Sequence, residues 1–117
     1  MCPYAFPKEQ RMPKFLIEAT YNAEGTKGLI KDGGTKRQAI VKKAVEDLGG
    51  KLEGFYYAFG ATDCIVIVDV PDTVAALAIA MAVDSSGEVH LKTTPLISPA
   101  DIDAACHKTV HYTAPGR

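Results

Sequence analysis

The fold turns on one stretch, Lys51-Leu52-Glu53-Gly54-Phe55-Tyr56-Tyr57-Ala58-Phe59-Gly60-Ala61-Thr62-Asp63-Cys64-Ile65-Val66-Ile67-Val68-Asp69-Val70. Two β-prone runs, Lys51 to Phe59 and Asp63 to Val70, flank the short turn Gly60-Ala61-Thr62, which predicts a hairpin. The second run is apolar on both faces from Cys64 to Val68. A strand of that kind sits in the middle of a sheet, covered on both sides.

Upstream of the hairpin, Thr35 followed three residues later by Gln38 has the spacing of a capping box and opens a helix. Its expected buried stripe is Ile40, Val41, Ala44, Val45 and Leu48, and Gly49-Gly50 supplies a left-handed stop. Earlier still, Lys14 to Tyr21 alternates as a strand, with Phe15, Ile17, Ala19 and Tyr21 on one face. The four glycines between Asn22 and Gly34 predict a loop with a short helical turn. Met1 to Arg11 has no hydrophobic signal core and is set apart from the fold as an N-terminal extension.

Downstream, Asp72 caps a second helix that runs to about Asp84. Val74, Leu77, Ala78 and Met81 lie on one side of it, with Ile79 and Val83 on another, so a second surface is expected to cover it. Glu88 to Thr94 is the last strand, and Ser98-Pro99 opens a short helix to about Lys108. Residues 12–108 thus form one domain, and Thr109 to Arg117 a loose tail.

The order β-α-β-β-α-β with right-handed crossovers is the ferredoxin-like α+β fold. Its sheet is antiparallel and four-stranded, ordered fourth, first, third, second, with both main helices on one face. Alternation puts Phe15, Ile17, Ala19, Leu52, Tyr56, Cys64, Val66, Val68, Val89 and Leu91 on the helix side. It puts Glu18, Thr20, Glu53, Phe55, Tyr57, Ile65, Ile67, Asp69, His90 and Lys92 on the open side. Such an apolar open face does not stay in water as one patch. A second copy packed face to face covers it, which predicts a homodimer enclosing a small-molecule cavity.

Composition agrees with this picture. A chain of 117 residues with 47% hydrophobic residues builds one modest core, to which dimerisation adds stability. The net charge of −1 and pI near 6.3 give no footprint for nucleic acid or an acidic membrane. The ten-residue apolar run Val74 to Val83 is too short for a bilayer span. Three widely spaced cysteines, Cys2, Cys64 and Cys106, read as free thiols in a reducing, cytoplasmic compartment.

The candidate ligand-binding residues are Glu18, Tyr57, Asp63, His90 and Lys92, with Gly60 and Asp63 marking the turn. A histidine beside a glutamate can act as a general base, and Lys92 can stabilise an anion. The same residues also read as a cross-strand Glu–Lys pair with an exposed histidine. Asp63 can equally hydrogen-bond turn amides. Gly25-Thr26-Lys27-Gly28 sits where a phosphate loop would, yet lacks a P-loop pattern. The aromatic run Phe55 to Phe59 is on the wrong strand for an RNA-binding sheet. His90, Cys106, His107 and His111 lack zinc-ligand spacing, so no metal or cofactor is expected.

Several stretches together resemble the GYD domain family of small bacterial proteins: Pro13 to Tyr21, Gly25 to Leu29, Leu48 to Leu52, Phe55 to Gly60 with Asp63, and Lys92 to Leu96. The likeness spans roughly residues 12–100. At the hairpin, Gly60-Ala61-Thr62-Asp63 keeps the glycine and aspartate of the family's Gly-Tyr-Asp signature, with Thr62 at the tyrosine position. The resemblance implies a ferredoxin-like fold and a dimeric α+β barrel, and carries no activity with it. Related barrels include cofactor-independent oxygenases, isomerases and ligand-sensing domains. An enzyme using His90 in the same cavity, or a purely structural dimer, are therefore the alternatives to a binding domain.

Overall fold

In the computed structural model, which describes residues 12–117, the central hairpin forms from β2 (Lys51–Tyr57) and β3 (Cys64–Asp69). The N-terminal extension and Cys2 lie outside the described residues. Around the hairpin stand β1 (Lys14–Tyr21), α1 (Ala23–Asp32), α2 (Gly34–Asp47), α3 (Thr73–Asp84), β4 (Val89–Leu96) and α4 (Pro99–Cys106). The sheet is four-stranded and antiparallel, in the order β2-β3-β1-β4. This is the ferredoxin-like arrangement, with the doubly apolar strand β3 inside the sheet. Cys64, Val66 and Val68 on β3 are buried against Phe15, Ile17 and Ala19 of β1. Val45 of α2 and Ala75 and Ala76 of α3 close the core from above.

The expected loop after β1 is instead a helix. Asn22 caps it, its side-chain oxygen accepting from the Gly25 amide at 2.9 Å, and Glu24 and Lys31 suit its two ends. Gly25 is there for space rather than for flexibility: a Cβ at this position would lie 2.4 Å from the Glu88 carbonyl oxygen. The glycine lets α1 settle on the start of β4.

The capping box at Thr35 and Gln38 does not form. The chain leaves α1, turns at Gly33 (φ +84°), and re-enters helix at once at Gly34 without a side-chain cap. Because α2 rests on the edge strand β2, only a narrow stripe faces inward. Val45 is buried and Val41 packs on the core, while Ile40, Ala44 and Leu48 are exposed. Gly49, at φ +82°, provides the expected left-handed stop.

β2 departs furthest from simple alternation. Leu52 pairs with Val68, but the next partner, Ile67, faces Gly54, so Glu53 is an extra residue in the ladder. This bulge inverts the faces from Gly54 onward. Phe55 and Tyr57 pack on the helix side, edge to face at 5.3 Å between ring centres, and Tyr56 points out on the open side. Burying two aromatics and joining Glu53 to Lys14 compensates for the interrupted ladder. The strand also ends early. Phe59 takes a left-handed conformation (φ +52°), which breaks the extended backbone after Tyr57.

Asp72 caps α3 as expected, accepting from the Ala75 amide at 2.9 Å. The inward side of α3 carries Ala75, Ala76 and Ile79, and leaves Val74, Leu77 and Met81 exposed. Ser98 caps α4 through the Asp101 amide at 3.1 Å, with Pro99 in its first turn. Among the described residues, no helix is long and apolar enough to cross a membrane.

Candidate functional site

The open sheet face follows from alternation along β1, β3 and β4. Leu16, Ile65 and Ile67 form its half-buried centre, and Tyr56 extends it across the bulged strand. At one end Lys14 bridges two carboxylates, reaching Asp69 at 2.8 Å and also Glu53. Burial works against the charge on Lys14. The hydrogen bonds that Lys14 donates to Asp69 and Glu53 outweigh burial and raise the lysine pKa. The Lys14 hydrogen bond in turn holds Glu53 below the usual glutamate range.

Toward the other end, Glu18 stands directly opposite Lys92, and Thr20 opposite His90. Glu18 accepts a hydrogen bond from the Thr62 hydroxyl at 3.3 Å. The residue at the tyrosine position of the hairpin signature thus touches the glutamate of the open face. His90 shares the face with Glu18 as a diagonal neighbour, but its Nδ1 lies 3.8 Å from Asp84, and its ring is largely exposed. The structure therefore brings Glu18, Lys92 and His90 onto one surface without joining His90 and Glu18 as an acid–base pair.

Two of the predicted residues sit elsewhere. Tyr57 is on the opposite face, because of the bulge, and its hydroxyl donates to the Gly34 carbonyl at 3.2 Å. Asp63 is committed to the backbone: its carboxylate accepts from the Tyr21 amide at 2.8 Å, and its own amide donates to Ala19. It ties the hairpin to the end of β1, with Gly60 closing the turn by donating to the Thr62 carbonyl at 3.1 Å. The glycine-rich segment 25–28 belongs to α1, so it forms no phosphate loop.

A second concavity lies on the helix side, where the sequence pointed to none. α2 packs on β2 and α3 on β4, which leaves a cleft over the middle of the sheet. The small side chains Ala19, Cys64 and Val66 floor it, and its inner part is an apolar cavity of about 80 Å³. Tyr21 and Arg37 stand at its mouth and also line an outer groove of about 410 Å³ that includes Asp32 and Glu88. Arg37 lies 3.7 Å from Asp32, which also has Lys36 at 3.5 Å. Burial pushes the Tyr21 phenol up to about 12 and the Cys64 thiol up to about 11, the latter helped by the charge of Asp63. Burial also raises the Tyr57 phenol. The one sequence signal for this cleft is Tyr21, a hydroxyl at the end of an otherwise apolar core face.

Among the described residues, no group of histidine, cysteine and carboxylate side chains is placed to hold a metal ion. Compared with known families, the chain matches the family model of the GYD domain over residues 15–106. No curated protein and no solved structure matches it.

Proposed function

The chain belongs to the GYD domain family, and from that premise we propose a homodimer that binds a small molecule between two facing sheets. The observation that carries the reading is the composition of the open face. Leu16, Ile65, Ile67 and Tyr56 make an apolar centre, with Lys14 ion-paired to Glu53 and Asp69 at one end and Glu18 and Lys92 standing cross-strand at the other. An apolar floor with a few placed polar groups is how small-molecule sites are built. Covering that floor with a second copy keeps its isoleucines out of water and leaves Lys92 to meet an anionic group. His90 turns its Nδ1 toward Asp84 at 3.8 Å rather than toward Glu18, so no acid–base pair forms on this face, which favours binding over catalysis.

The helix-side cleft supports a second reading, in which an apolar carboxylate lies beneath Arg37 with its body in the inner cavity. Thermal shift with a panel of small carboxylates and phenols separates the two. In the first reading Lys92→Ala and Glu18→Gln abolish a ligand-induced shift that Arg37→Gln keeps. The reverse pattern selects the cleft. No shift with any member of the panel in the parent protein overturns both.

A further inference from the structure

We infer that the C-terminal arm, from Leu96 through α4 to Tyr112, docks on the second copy of the chain. This rests on the dimer reading above and goes beyond it by naming a second part of the interface.

Every residue from Thr94 to Thr113 is exposed, and α4 makes no substantial contact with any other element. The segment is nevertheless not polar. Leu96, Ile97, Ile102, Val110 and Tyr112 are 38, 65, 52, 78 and 74% exposed. Within α4, Ile102 shares a face with Ala105 and Cys106, flanked on either side by Asp101 and Asp103. α4 has eight residues and a well-formed serine cap with proline in the first turn. So short a helix is not stable in water alone and takes its stability from packing. A capped short helix that stands off its own body and carries an exposed isoleucine is built to lie on something else.

Area says what that is. The apolar part of the open face, three half-buried aliphatic side chains and one tyrosine, presents on the order of 300 Å², short of the roughly 450 Å² of apolar surface in a standard interface of ~800 Å² per partner. The exposed apolar side chains of the arm add roughly 500 Å², which closes the gap. In a two-fold pair each copy gives one arm and receives one, so a single symmetric partner covers both surfaces at once. The arm leaves from β4, a strand at the sheet's edge, and no residue from Thr94 to Thr113 returns to the chain's own core.

Hydrogen exchange on the full-length chain, run over a range of protein concentrations, tests this together with sedimentation. The amides of α4 are expected to gain protection in step with dimer formation, and Ile102→Asp with Tyr112→Ser to weaken the dimer at least tenfold. Protection of α4 that does not change with concentration, or a dimer of unaltered affinity in the double variant, overturns the arm while leaving the facing sheets in place. A full-length chain that stays monomeric throughout overturns the arm and the dimer reading together.

Discussion

Tyr21 shows how one side chain reports on the helix-side cleft. Its phenol holds its proton to about pH 12 because burial disfavours the phenolate, whereas an unfolded tyrosine releases it near about pH 10. The folded state thus binds a proton that the unfolded state loses. Its contribution to stability is complete below pH ~10 and is lost as pH rises toward the folded value. Between pH 8 and 11 the urea midpoint of the parent protein should therefore fall further than that of Tyr21→Phe, and equal falls would refute the assignment. Gly25 makes a steric claim instead. With a Cβ only 2.4 Å from the Glu88 carbonyl, Gly25→Ala has to push α1 off β4, costing about 1–3 kcal/mol in a urea melt despite alanine's better helix propensity. Asp63 and Tyr57 were visible in the sequence as chemistry-bearing residues. Their roles were not, because each is decided by a backbone partner, the Tyr21 amide and the Gly34 carbonyl, that no local pattern reveals.

Among the elements, α1 and β2 depart most from the pattern of the residues that form them. α1 was hidden because glycine in a helix usually signals a break, and here close approach requires one. Alternation places the faces of β2 wrongly past Glu53, because it assumes an unbroken ladder and Glu53 adds one residue to it. The bulge makes an unusual deletion tolerable. Without Glu53 the pairs Leu52–Val68 and Gly54–Ile67 become consecutive, so Phe55 and Tyr57 keep their places on the helix side. The deletion should cost no more than about 1 kcal/mol, the worth of its exposed ion pair, and should preserve the near-ultraviolet circular dichroism of the packed aromatics. Collapse of that signal would mean that the bulge is required for the aromatic face. β1, β3 and the core they share were legible throughout, since both are regular strands whose apolar sides have only one core to enter.

At the scale of the molecule, strand order follows from short connections and right-handed crossovers, and the structure has the order those rules dictate. What a single chain leaves exposed is the open face, the arm and the outer stripe of α3. If a second copy covers the first of these, the melting temperature rises with protein concentration, as mass action requires of a dimer. Ile65→Lys should remove that dependence, and a concentration-independent melt of the parent chain would count decisively against association. The bulge in β2 bears on the form association can take. β2 and β4 are the two margins of the sheet; one carries Glu53 out of register between Leu52 and Gly54, and the other holds Pro95, which has no amide hydrogen to offer. Neither margin is a good template for another strand, so growth by adding sheet to sheet is discouraged at both borders. A protein with this much uncovered apolar surface is thereby steered away from fibrils, in keeping with the closed pair proposed above.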